Sequence, residues 1–440
     1  MVSLIRQFVG APLPFMSRPH AAIELRAWLL FAVPQGIMAG SIVGVLIRNI
    51  FAGQSSPWVL AVAIAVVTGA SPLANLASVF WSQMVQGRDR VRVLGAVQIL
   101  FAISLISLGL VPVNAIGLIT MAVLVVATQF FWCGLLTIRS SVWRANYDRA
   151  GRTTFTARVL MMTAIVMAAA GVLTGVLVDI DIGNFRLCFI VAGGFALLGM
   201  LSYRGLRVRR QQQLISAERS VMAGKRFRPS AFLEIWRNDP LFRNYLIVTF
   251  IAGSGNLMFM APLILVMNNN LGLPQVQQIL ISASLPTLLM PLLVPFWAGV
   301  FARRHVIAFR ARLNWCFAAA LAAFLGAAVT QWIPLLWLGS VLLGSGWAGG
   351  RLGWNLGHND FAANDERATE YMGLHVTLTG VRGAVVPLIG VALYQALESR
   401  VPGSGVWSLL LPFTLSFCGA LGFVVLARRM HAPPRGAEAI

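Results

Sequence analysis

Residues 204–243 read RGLRVRRQQQLISAERSVMAGKRFRPSAFLEIWRNDPLFR, the only long polar segment of a 440-residue chain. On either side of it the sequence falls into apolar runs of about 20 residues, the length a helix needs to cross a hydrocarbon core roughly 30 Å thick. Six precede it, near 27–47, 58–79, 93–112, 116–138, 159–179 and 185–203. Six follow it, near 244–267, 276–301, 313–331, 333–356, 372–395 and 406–427. Lipid offers backbone groups no partners, so a spanning segment must be a helix or belong to a closed barrel, and these runs lack the alternation of a barrel strand. The fold class that follows is all-α: a polytopic membrane protein of about 12 transmembrane helices. Residues 1–203 and 244–440 form two six-helix bundles joined by the 204–243 loop.

The composition agrees. With 58% hydrophobic and 11% charged residues and a mean hydropathy of +0.78, the chain is far more apolar than a soluble domain, whose apolar share is about 45–50%. A net charge of +20 suggests nucleic acid until the basic residues are placed on the span map. Of 34 Lys and Arg, 29 fall on the side that holds the termini and the central loop. Arg48, Arg186 and Arg400 fall on the other, and Arg351 and Arg382 are embedded. This asymmetry predicts cytoplasmic termini and loop in a bacterial-type inner membrane. Anionic membrane lipids then account for the charge, and no basic, aromatic-interleaved soluble domain exists to bind nucleic acid. The first apolar run is of spanning length and follows Arg6, Arg18 and Arg26, so it reads as an uncleaved signal-anchor. Cys133, Cys188, Cys316 and Cys418 are scattered singly, without metal-ligand spacing, and read as small buried hydrophobes.

The two halves repeat one another. Phe80-Trp81 matches Phe296-Trp297, Trp132 and Gly134 match Trp347 and Gly349, and Ala145-Asn146 before Asp148-Arg149 matches Ala363-Asn364 before Glu366-Arg367. All three offsets lie between 215 and 218, as expected if helix n corresponds to helix n+6.

On these features the chain resembles the major facilitator superfamily over residues 20–430. In that family the turn between helices two and three carries Gly-x-x-x-Asp-Arg-x-Gly-Arg. Here Asp89, Arg90 and Arg92 are kept, while Val85 and Val91 stand where glycines are expected. The turn after helix four, Asp148-Arg149-Ala150-Gly151-Arg152, copies the second half of the motif. The resemblance implies that Asp89, Arg90, Arg92, Asp148, Arg149 and Arg152 hold a cytoplasmic gate, and charge pairs at helix ends can indeed break when two bundles rock. The alternative is ordinary solvated loop charge. Drug/proton antiporters of the family usually carry an arginine midway along helix four and a Gly-Pro motif in helix five. This chain has Gln129 there, Arg139 only at the helix end, and Gly171-x-x-x-Gly175 without proline. No buried carboxylate is expected in either half, since the nearest acids, Asp179 and Asp181, fall at the outer mouth. Cationic drug efflux by proton exchange is therefore disfavoured.

Two arginines in apolar spans are the sharpest functional clue, because an uncompensated guanidinium in hydrocarbon costs at least about 2.5–3.5 kcal/mol. In the tenth span Trp347, Arg351, Trp354, Asn355 and His358 recur at spacings of three and four and share one face. Gly349, Gly353 and Gly357 form a second stripe, suited to close approach by a neighbouring helix. The resemblance implies that helices one, four, seven and ten line a central cavity, which puts the Arg351 face there. His375, Thr379 and Arg382 share a face of the eleventh span, with Arg382 near the midplane. Two cations without an embedded acid predict an anion site, the alternative being arginines clamped to backbone carbonyls. Gln35, Gln129, Asn256 and Gln98 are hydrogen-bonding candidates for a polar solute or bridges between helices. Pro286, Pro291 and Pro295 should bend or loosen helix eight.

No metalloprotease His-Glu pair, Walker loop or nucleophile elbow is present, so the chain reads as no enzyme, without cofactor or metal. The function expected is secondary transport by alternating access. The cargo is a small polar, anionic or zwitterionic, solute, with a proton or counter-substrate as coupling ion and a monomer as the working unit. A lipid or amphiphile flippase or drug exporter is the first alternative, and a non-transporting receptor or scaffold on the same fold is the second.

Overall fold

A computed structural model describes residues 18–147, 149–222, 229–361 and 365–431, and every regular element among them is a helix. Twelve long helices carry the fold. The first half comprises α1 (Arg18–Ile37 and Gly40–Ile50), α2 (Pro57–Val85), α3 (Arg90–Gly109), α4 (Ala115–Asn146), α5 (Arg149–Ile180) and α6 (Phe185–Tyr203). The second comprises α7 (Pro240–Asn270), α8 (Gln275–Phe301), α9 (Val306–Thr330), α10 (Pro334–Leu356), α11 (Asp365–Glu398) and α12 (Leu410–His431). Ten are long and apolar enough to cross a membrane singly, and the two pieces of α1 together make an eleventh. α10 is the twelfth, its apolar content diluted by glycines, serines and Arg351.

Two boundaries differ from the apolar-run map. α1 begins at Arg18 rather than near 27, because a hydropathy window stops at Glu24 and Arg26 while the helix does not. α7 begins at Pro240, where Asp239 accepts the Phe242 N–H (2.8 Å) and proline needs no partner for a missing N–H. The polar loop itself holds two short helices, Gln211–Met222 and Pro229–Asn238. Asn146 ties the start of the loop down, its side chain donating to the Arg207 carbonyl and accepting from the Arg209 N–H, both at 3.0 Å.

The internal repeat is physical. Trp81 lies on Gly134, where a Cβ would fall 2.7 Å from the indole, and Trp297 lies on Gly349, where a Cβ would fall 3.0 Å away. Each indole N–H is satisfied across the same helix pair of its half, by the Phe130 carbonyl in one and by Ser345 Oγ in the other. Each tryptophan also meets its preceding phenylalanine edge-on at 5.2 Å.

Two helices are broken, and a side chain from another helix answers each open carbonyl. α1 bends by 42° between Ile37 and Gly40, where Ala39 is extended, and Gln129 on α4 donates to the Met38 carbonyl that the break leaves open (3.1 Å). In α8 a wider turn spans Leu280–Ser284 ahead of Pro286. Pro286 cannot donate to the Ser282 carbonyl four residues back, and Ser41 of the other half donates to it instead (3.4 Å).

The halves meet along α2–α11 and α5–α8. Their hydrogen bonds gather at the end of the molecule remote from the termini: Arg48 to Asn269, Asn268 to Asn49, Gln395 to the Pro57 carbonyl, and the Gln275 and Val276 N–H groups to Asp179. Along α2–α11 the tight seam runs through Gly69 and Gly383, where a Cβ on Gly69 would lie 2.3 Å from the Gly383 carbonyl oxygen, and reaches Leu76 and Gly380. Beyond it, Ser78–Val85 of α2 packs on α4, and the start of α11 packs on α7 and the second loop helix.

Candidate functional site

α10 concentrates polar groups in an apolar span, and its glycines decide which face they occupy. A Cβ on Gly349 would lie 2.5 Å from Leu313, and one on Gly357 2.5 Å from Val306, so the glycine stripe turns toward α9 and admits it closely. On the remaining face Arg351 and Asn355 are exposed and Trp347 and Trp354 half-buried. The Asn355 amide donates to the Arg351 carbonyl (2.8 Å). Arg351 is thus an exposed guanidinium within an apolar span. Among the described residues its guanidinium has no ion-pair partner.

Arg382, expected beside it, is placed differently. It is only 5% exposed, with Nη1 donating to the Thr249 carbonyl on α7 and Nη2 to Thr379 Oγ1 (3.1 Å). Gly253 makes the room, since a Cβ there would lie 2.0 Å from Nη1. This is the clamp geometry, joining α7 to α11, so Arg351 and Arg382 do not both present free forks to one cavity. Thr379 and His375 are buried with it, Thr379 donating to the His375 carbonyl (2.9 Å). The His375 ring stands 6.0 Å from Trp354 and 6.5 Å from Tyr245, and its Nε2 has no partner. Arg310, assigned by the span map to a turn, is buried one turn into α9 and donates to the Tyr245 hydroxyl (3.1 Å). Arg310, lying against Gly353 of α10, and Arg382, between α7 and α11, are therefore buried cations, and among the described residues no carboxylate pairs with either.

The neutral candidates divide. Gln129 is a bridge to the α1 break, and Asn256 accepts from Ser416 on α12 (3.3 Å). Gln35 keeps a buried amide nitrogen without a partner, and Gln98, 1% exposed, keeps its amide oxygen so.

The expectation that neither half buries a carboxylate is overturned by Glu24, which is 0% exposed in α1. Its Oε2 accepts from the Trp28 indole (3.2 Å), the Trp143 indole (2.5 Å) and the Tyr203 hydroxyl (2.6 Å), while Oε1 has no partner. Arg139 lies over both tryptophan rings, 4.0 Å from Trp28 and 4.4 Å from Trp143, so its charge reaches the cage without a direct ion pair. The sequence signal was the Glu24–Trp28 spacing of one helical turn, upstream of where the apolar run begins.

Of the gate residues, Asp89 caps α3, accepting from the Val91 (2.9 Å) and Arg92 (3.1 Å) N–H groups, and lies 3.6 Å from the Arg92 guanidinium. Arg90 pairs with Glu218 of the first loop helix, whose other oxygen accepts the Gly87 N–H (2.9 Å). This turn therefore grips the loop in the present conformation. Asp148 and the side chains of Arg149 and Arg152 lie outside the described residues.

No curated protein matches the chain in sequence. Solved structures match its fold. A D-xylose-proton symporter superposes with a TM-score of 0.72 at 12% identity, covering 96% of this chain and 99% of its own. The nucleoside transporter NupG superposes at 0.67 and 12% identity, covering 93% and 100%. A bacterial homolog of the human lysosomal transporter Spinster, in an inward-facing state, gives 0.66 and 15%, covering 94% and 99%. The family model described as Major Facilitator Superfamily matches residues 36–387. With that match over most of its length, two six-helix halves and a Trp–Gly contact repeated in each, the chain belongs to the major facilitator superfamily of multi-pass membrane transporters.

Proposed function

We propose that this protein is a secondary transporter that moves a small anionic or zwitterionic solute by alternating access, with the Arg351, Trp354 and Asn355 face of α10 as the binding surface. The observation that carries the reading is Arg351: an exposed guanidinium in an otherwise apolar span, with no carboxylate partner among the described residues. A planar fork suits carboxylate or phosphate, and Trp354 beside it offers an apolar flank. The charge asymmetry orients the termini to the cytoplasm of an inner membrane, so the present conformation, sealed at the remote end, faces inward.

Glu24 supplies the coupling proton in this reading. Its Oε1 is free, its Oε2 is held by three neutral donors, and Arg139 offers the compensating charge when the carboxylate is ionised. The test is uptake into proteoliposomes of a panel of short carboxylates and phosphate esters. A substrate found there should be lost in Arg351→Gln, by about tenfold or more in rate, with the melting temperature unchanged. Glu24→Gln should lose accumulation driven by a pH gradient while keeping exchange of internal for external solute. Wild-type anion transport by Arg351→Gln refutes the site, and equal loss of both activities in Glu24→Gln makes the carboxylate structural.

A further inference from the structure

At the end of the molecule that bears the termini, the first turns of α9 and the last turns of α12 leave a groove of about 820 Å³ between them. Its rim is Arg303, Arg304, His305, Arg312 and Arg428, and all four arginines are exposed. Its floor is apolar, with Ala308 and Ala311 of α9 facing Val424 and Met430 of α12, so the two alanines leave room between the helices. Among the described residues none of the four arginines is in an ion pair. The nearby acid, Asp360, is occupied in accepting the Val306 N–H (2.6 Å).

Above the rim the same seam turns apolar and stays exposed. Trp315 stands one turn deeper than Arg312 and meets Phe417 of α12 edge-on at 5.5 Å, with Leu421 and Val425 exposed along α12 between Phe417 and Arg428. Charge at the membrane surface and an apolar strip running inward from it match a molecule with an anionic head and long acyl chains. A soluble anion would use the rim and leave the strip bare. A protein partner would have to enter the hydrocarbon layer to cover Trp315 and Phe417.

We propose that this groove is a binding site for an anionic phospholipid of the adjacent leaflet, its phosphate held by Arg303, Arg304, Arg312 and Arg428 and its chains lying along the Trp315–Phe417 strip. The groove lies on the far side of α9 from the glycine stripe of α10, so the proposal stands independently of the solute site.

The experiment uses the full chain purified in a neutral detergent, with phosphatidylglycerol, diphosphatidylglycerol or phosphatidylcholine added, and reads lipid adducts by native mass spectrometry and the melting temperature. The anionic lipids should stay bound and stabilise, and phosphatidylcholine should do neither. Arg312→Gln/Arg428→Gln should weaken retention roughly thirty-fold, the combined attraction of two basic residues at an anionic surface. Arg303→Gln/Arg304→Gln, in the exposed turn, gives the same test should the helix variant fold poorly. A control removing Arg88 and Arg92, at the basic turn of the other half, should retain lipid as the wild type does. Equal retention by the groove variants, equal binding of phosphatidylcholine, or equal stabilisation by inorganic phosphate alone would each overturn the assignment.

Discussion

Arg351 and Arg382 look alike in sequence, each a lone arginine in an apolar span, and the structure separates them by what faces them. Arg382 has Gly253 opposite, so its guanidinium lies against the α7 backbone and bonds the Thr249 carbonyl. Arg351 has solvent. Helical spacing gives the direction a side chain leaves its own helix but not what the neighbouring helix offers, and for that reason the clamp was not legible from α11 alone. Two substitutions follow. Gly253→Ala should cost about 3 kcal/mol, from a crowded Cβ and the loss of a hydrogen bond to a charged group, and lower the melting temperature by several degrees. Arg382→Lys, which cannot reach Thr249 and Thr379 together, should lower stability and transport in parallel. Unchanged melting in either variant would remove Arg382 from the clamp.

At the scale of elements, the apolar runs located the spans and the common offset located the repeat, because span length and the recurrence of short aromatic and glycine patterns are written locally, whereas the packing of each tryptophan on its glycine is not. Trp81 on Gly134 and Trp297 on Gly349 are the same contact built twice. The N-terminal start of α1 was hidden because Glu24 and Arg26 interrupt the hydropathy without interrupting the helix. Glu24 is tolerated there only because Trp28, Trp143 and Tyr203 donate to it, and two of those come from distant helices. The breaks are also cooperative between elements: Gln129 answers the α1 bend and Ser41 answers Pro286. Asp179 is the clearest of these devices, since it caps the N-terminus of α8 from the end of α5 and so spans the two halves. Asp179→Ala should weaken the remote seal by about 1 kcal/mol, which is roughly a five-fold rise in the open population. Alkylation of a cysteine placed at Ser282, buried at that seam, should accelerate by the same factor. An unchanged rate would show that the cap does not hold the seal.

For the whole molecule, the contacts describe one end sealed between halves and a loop gripped by Arg90 and Glu218 at the other. A carrier must exchange this arrangement for its mirror, and the solute can bias the exchange only by binding the two states unequally. The most direct measurement is therefore of two distances at once, in protein whose four native cysteines have been replaced. Spin-label pairs at Gln54 and Val401 report the remote end, and pairs at Arg88 and Arg304 the end bearing the termini. On adding a transported anion, the account predicts that the two distance distributions change in opposite senses, and that Arg351→Gln abolishes the response. Distributions that stay fixed at both ends while the anion is transported, or a full response in Arg351→Gln, would contradict it.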